Sequence, residues 1–262
     1  MSLAQFQLAM MDLIASPERC LDARWDPVSA LARYDLTARE RRRVIDAVRQ
    51  KGMATNCALY RSQRVTPIYT SLHLSCLALA NRLETELDEY WRSEEFSDRR
   101  FRLEIERFAH FLKRRIEDGA LAIACLPELL DFELASNDLR NLPRRRLLAE
   151  TTGLASSVRE VPARVHPLVR VARFSYDTRS LFAAIAHGDP CDTLSRQESF
   201  VVLSVRDDPS PQVLPVEREL GALLWELQQS GVFRGGDAQF ASLAQRGLII
   251  PAAPPPSPIN RS

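Results

Sequence analysis

Glycine is scarce. Nine glycines in 262 residues leave little material for a phosphate-cradling loop, and no Walker sequence, dinucleotide GxGxxG or GxSxG elbow occurs. No run of about 18 apolar residues is present, so a transmembrane helix is not expected. The opening MSLAQFQLAMMDLIASPE lacks a basic n-region, and Gln and Asp interrupt its apolar positions. It reads as a helix rather than a signal peptide. The five cysteines (Cys20, Cys57, Cys76, Cys125, Cys191) are odd in number and form no CxxC pair, which supports neither a zinc knuckle nor a thioredoxin motif. Reduced, mostly buried thiols in a cytoplasmic protein are the expectation. His73, His110, His166 and His187 form no HExxH or HxH, so no pair of ligands is brought to one helix face. Lysine is nearly missing, with 2 against 33 arginines, a usage that fits a GC-rich genome better than a binding device. Lys plus Arg is 35 and Asp plus Glu is 34, without the excess positive charge of a nucleic-acid coat or a polybasic membrane-surface protein.

What is present is enough apolar material, 45% of the chain, for a sizeable core. Residues 1–150 read as an all-helical bundle of five or six helices. The first carries Leu3, Phe6, Met10, Leu13 and Ile14 on one face. Thr37 and Glu40 form a capping box opening a second, which Lys51-Gly52 is expected to close. A third resumes near Cys57 and bends or restarts at Pro67. Leu72, Cys76, Leu79, Leu83 and Leu87 then recur at helical spacing toward Trp91. Further helices carry Phe101 to Ile116 and Pro127 to Leu142. Residues 151–165, with Gly153, Ser156, Ser157 and Pro162, read as a linker. From 166 to 250 the pattern is strand, helix, hairpin, helix, helix, strand, the content of a small winged-helix-like α/β domain. The fold class is therefore α+β, with a proline-rich, disordered tail at 251–262.

Few residues suggest chemistry. Cys125 near Glu128 invites a thiol-with-carboxylate reading, but no histidine lies near in sequence, and a buried cysteine is favoured. Glu128, Asp131 and Glu133 sit on or near a helix N-terminus, where the macrodipole favours negative charge; this outweighs an acid/base pair. Charge is polarised locally. Arg39–Arg64 holds eight basic residues, Arg41, Arg42, Arg61 and Arg64 among them, against two acidic ones. Glu84–Asp98 holds seven acidic residues against one basic. Arg144, Arg145 and Arg146 make a second basic knot. A solvated or protein-docking face is favoured over phosphate tracking, because the basic stretch lacks interleaved aromatics. The strand Phe200–Arg206, with Phe200, Val202, Ser204 and Arg206, offers a candidate sheet edge for an extended peptide, set evenly against an edge covered by its neighbours.

The segments MSLAQFQLAMMDLIASPE, LYRSQRVTPIYTSL (59–72), LPELLDFELASNDLR (126–140), HPLVRVARFSYD (166–177) and FVVLSVRDDPSPQVLPVERELGALLWELQQSG (200–231) occur in an order that resembles a bacterial family. Its members are partner subunits of iron-dependent TIM-barrel enzymes, and the likeness is greatest to the MbnC-like branch of methanobactin biosynthesis, with the HvfC-like branch next. The resemblance implies a non-catalytic subunit with no cofactor of its own, the iron lying in an MbnB-like barrel partner. It implies that the pair binds a ribosomal precursor peptide of the MbnA type through its leader. A peptide cysteine is then converted to an oxazolone with an adjacent thioamide, a step in making a copper chelator. It assigns the edge strand to the leader; the local charge polarisation marks the charged helical residues Arg41, Arg42, Arg61, Arg64, Glu128 and Asp131 as docking candidates. The third helix of a typical winged module is longer than Gln239–Arg246 allows. The competing reading is a nucleic-acid-binding regulator using Arg39–Arg64; a hydrolase built on Cys125 or Glu128 is least supported.

Overall fold

The computed structural model describes residues 3–93, 101–143, 145, 147–148, 163–206, 208 and 210–251. The mixed composition of helix and antiparallel sheet is α+β. Helices α1 (Leu3–Ala15), α2 (Pro17–Trp25), α3 (Pro27–Ala30), α4 (Ala38–Val48), α5 (Lys51–Ser71), α6 (His73–Leu79), α7 (Leu83–Ser93), α8 (Phe101–Glu117) and α9 (Leu126–Arg140) come first. Then follow β1 (Ala163–Val165), β2 (Val169–Tyr176), α10 (Thr178–His187), β3 (Arg196–Ser204), β4 (Gln212–Val216), α11 (Arg218–Ser230), α12 (Asp237–Gln245) and β5 (Ile249–Pro251).

The chain forms two compact units: 1–73 with 81–118, and 74–80 with 119–262. This differs from a division at residue 150, and the reason is α9. Its Leu129, Phe132 and Leu139 are buried against the sheet residues Ala172, Phe174 and Tyr176, so the helix belongs with the strands it covers. Amphipathic spacing reveals that a helix has a buried face without revealing what the face is buried against.

In the first unit the capping box forms as expected: the Glu40 N–H donates to Thr37 Oγ1 at 3.2 Å, and the Thr37 N–H donates to Glu40 Oε2 at 2.9 Å. Lys51-Gly52 does not close α4; it opens α5, which continues through Pro67 to Ser71. The stripe from Leu72 to Leu87 is not one helix either, since a 3-10 turn at Ala80–Arg82 divides it and Ala80 takes φ 46°. Ala9, Leu13, Ala23, Leu31, Tyr34, Val44 and Val48 make one core of this unit.

The second unit is built on the antiparallel sheet β2-β3-β4, with β1 and β5 paired separately. Residues 163–165, read as linker, are β1: Ala163 pairs with Pro251 and Val165 with Ile249. Residues 151–162 and the tail from 252 lie outside the described residues. Period-two alternation gives the sheet two apolar faces. Val169, Val171, Phe200 and Val202 pack on Leu224 and Leu227 of α11 and Leu243 of α12. Ala172, Phe174, Val201 and Leu203 pack on α9 and on Leu181 and Ile185 of α10. Phe132, Phe174 and Phe182 meet there with ring centroids 5.5–5.7 Å apart. Gly221 sits where a Cβ would overlap the Phe200 side chain, so α11 reaches the sheet only with glycine at that position.

Cys125 and Cys191 are joined by a disulfide, Cα–Cα 6.3 Å, tying the start of α9 to the turn after α10. This corrects the expectation of reduced thiols. A separation of 66 residues gives no sequence signal of pairing. Cys20, Cys57 and Cys76 are buried thiols outside this disulfide.

Candidate peptide-binding edge

The strand carrying Phe200, Val202 and Ser204 is β3, and it is not an edge. It is bonded to β2 on one side (Val171↔Val202) and to β4 on the other (Val202↔Leu214). Phe200 and Val202 are buried under α11, Ser204 is half-buried, and the Arg206 guanidinium donates to the Arg246 carbonyl at 2.8 Å. The expectation fails because alternation identifies a strand but not its neighbours.

The outer edges are therefore β2 and β4. On β2, the Val171 N–H donates to Gln228 Oε1 at 2.8 Å, while Gln228 Nε2 donates back to the Val171 carbonyl at 3.0 Å. This side-chain amide imitates a neighbouring strand. Further along, the Ser175 N–H donates to Glu128 Oε2 at 3.0 Å, and the Ser175 hydroxyl donates to Glu128 Oε1 at 2.5 Å. Two side chains thus occupy this edge.

On β4 the alternation set by Val171 carries across the sheet. Since Val171 is bonded outward, Val202 is bonded toward Leu214, which leaves Val213 and Pro215 directed away from β3. Pro215 has no N–H, so Val213 carries the outward donor of this strand, with the carbonyls of Val213 and Pro215 as acceptors. Val213 and Leu214 are exposed, at 42% and 51%. Beside them lies a cavity of about 590 Å³ lined by Thr178, Arg179, Phe182, Ser199, Val213 and Pro215. Glu198 lies near this rim and holds Arg173 at 3.0 Å and Arg218 at 3.1 Å. Asp177 accepts from the Ser180 N–H at 2.9 Å, and the Ser180 bonds hold its carboxyl below the usual range. The site is a short open edge with an apolar floor and a mixed-charge rim. It has hydrogen-bonding and packing capacity for an extended chain.

Within each unit the charged docking candidates are committed to different elements. Arg41 is half-buried and Arg42 exposed on α4. Arg61 pairs with Asp88 and stacks 4.9 Å from the Trp91 ring. Arg64 is 2% exposed: its Nε donates to Glu104 Oε1 at 2.8 Å and its guanidinium lies 5.1 Å from the Trp91 ring. Arg61 and Arg64 thus pin α5 to α7 and α8, and Arg64 presents nothing to a partner. In the other unit, Asp131 is exposed and Glu128 is committed to β2. Glu133 is buried and accepts from the Leu74 N–H at 2.6 Å and the Ser75 N–H at 3.0 Å, at the start of α6. Burial pushes its carboxyl up to about 7, against the opposing effect of those bonds. The three carboxylates therefore diverge from α9. Cys125 is held in the disulfide and offers no thiol.

Sequence reasoning missed Val213, Leu214 and Gln228. A usable signal existed for the first two, because proline inside a predicted strand marks an edge. Gln228 gave none; its role depends on how α11 lies along β2. Among the described residues, no group of three or more His, Cys, Asp and Glu is placed to hold a metal, and no helix is long and apolar enough to cross a membrane. No protein-family model matches the chain, and no curated protein matches it.

Proposed function

We propose that this chain is a peptide-binding and docking subunit of a two-protein peptide-modifying oxygenase. The observation that carries the reading is the outer edge of β4, with its outward Val213 N–H, exposed Val213 and Leu214, and adjoining cavity of about 590 Å³. Edge addition of this kind draws affinity from backbone bonds and selectivity from alternate side-chain pockets. In this reading the β3–β4 hairpin and the two helices after it act as a winged-helix-like module. Its ligand is the leader of a short ribosomal precursor. The helical unit docks an iron-dependent barrel enzyme, to which the oxidation of the peptide cysteine belongs. The family resemblance supports the partner and the chemistry, and the open β4 edge supports the peptide part of the reading.

The reading sets the complex in the cytoplasm, where precursor peptides are made. The Cys125–Cys191 bond counts against that location, since disulfides persist most readily in oxidising compartments. The test is co-expression with a barrel enzyme encoded beside a short cysteine-containing reading frame. Co-elution of both proteins on size exclusion, and peptide oxidation only when both are present, is expected. Separate elution, with oxidation by the barrel protein alone, would remove the proposal.

A further inference from the structure

The second helix presents apolar side chains to solvent in the first unit. Leu21 is 54% exposed, Trp25 84% and Val28, just beyond in α3, 73%. Trp25 is the most exposed of the three tryptophans, for Trp91 is buried and Trp225 half-buried. Beside Leu21 lies a pocket of about 300 Å³ between α2 and α5, floored by Cys20, Val48, Cys57 and Ala58. Its rim carries Arg24, Lys51 and Arg61 and no carboxylate. Arg24 and Lys51 are exposed, while Arg61 is already paired with Asp88. Across α2 the surroundings differ. Trp25 itself lines a second cavity on that side with Asp22, Asp26, Arg19 and Arg33, where Asp26 accepts from the Ser29 N–H and Arg33 is held by Asp12 at 2.6 Å. The surface is thus an apolar ridge between a carboxylate-free cationic groove on the Leu21 flank and a mixed-charge cavity on the Trp25 flank.

We infer that the Leu21–Trp25 ridge and the α2/α5 groove bind an amphipathic helix of a partner protein, whose apolar residues enter the groove while carboxylates along one side meet Arg24 and Lys51. A helix places side chains at i, i+4 and i+7 on one face, the spacing needed to fill a groove beside a helix. An exposed tryptophan next to a pocket is the usual anchor of such contacts. The one-sided charge fixes the partner's sign and orientation. A concave groove of about 300 Å³ suits the projecting side chains of a helix better than a flat lipid surface. The inference deepens the docking half of the proposed function and rests on that half. It is independent of peptide binding at β4.

The test uses the full chain and two synthetic helices that share leucines at i, i+4 and i+7. One carries glutamates along a flank; the twin carries lysines there. Binding is read by labelled-helix anisotropy and by acrylamide quenching of tryptophan emission. The acidic helix should bind at least about tenfold tighter than the basic one and shield Trp25 from quencher. Arg24→Glu with Lys51→Glu should reverse the preference, and Trp25→Ala should weaken the acidic helix at least about tenfold. Restored binding of the basic helix by the double variant would also show that variant to be folded. Equal affinities, no binding at about 100 µM, binding only to phosphatidylglycerol vesicles, or self-association that occludes Trp25 would each overturn the inference. Failure of co-elution with a barrel enzyme, alongside binding of the acidic helix, would remove the barrel as partner but not the groove as a site.

Discussion

Glu133 and His166 are buried in the second unit and pull its pH dependence in opposite directions. Burial raises the Glu133 carboxyl from 4.5 to about 7. A raised carboxylate pKa favours folding below 4.5, and that contribution is lost as pH rises through about 7. His166 is lowered from 6.5 to about 4 by burial and then by Arg206 and Arg164, and its Nδ1 accepts from the Leu168 N–H at 3.1 Å. Its contribution is present above 6.5 and lost as pH falls toward 4. The two partly cancel in the wild-type chain. In Glu133→Gln the cancellation goes, so urea midpoints should fall more steeply than wild type between pH 7 and 4.5. In His166→Asn the sign should reverse, with stability rising over the same interval. Parallel profiles for all three proteins would contradict this assignment of the two groups.

At the scale of elements, the three-stranded sheet has two edges that are treated differently. Gln228 supplies β2 with a donor and an acceptor, and Glu128 closes its far end. Proline and exposed apolar side chains mark β4 instead. Removing the amide by Gln228→Ala leaves the Val171 N–H and carbonyl without these bonds, at about 1–3 kcal/mol for unsatisfied backbone groups. Chemical denaturation should register that loss, and amide exchange at Val171 should accelerate while Leu214 stays protected. A wild-type exchange rate at Val171 would mean that the side chain contributes no protection there. Which edge was covered could not be read from the sequence. The strand Phe200–Arg206 and the element order from 166 to 250 were legible, but pairing partners depend on contacts distant in sequence.

Across the whole molecule, local signals were legible and long-range ones were not. The capping box at Thr37 and the strand–helix–hairpin–helix–helix–strand order depend on neighbouring residues and were readable from them. The burial of α9 beneath β2, the pairing of β1 with β5 and the Cys125–Cys191 bond join distant segments and were not. Of the candidate site, the strand Phe200–Arg206 was legible as a strand but not as an inner one. The disulfide closes a 66-residue separation, for which loop-closure entropy gives about 4 kcal/mol. Reduction, or Cys191→Ser, should lower the melting temperature by several degrees. An unchanged melting temperature after complete reduction would show that the crosslink contributes little to folding.

If an extended peptide adds to β4, as proposed, Val213→Pro should weaken its binding. The substitution removes the outward N–H and leaves the bonds of Gln212, Leu214 and Val216 to β3 in place. The measurement is the affinity of the precursor leader for wild type and variant, by fluorescence anisotropy at one salt concentration. A loss of at least about tenfold, or about 1.4 kcal/mol, with an unchanged melting temperature is the predicted result. Equal affinity in the folded variant would contradict binding at this edge.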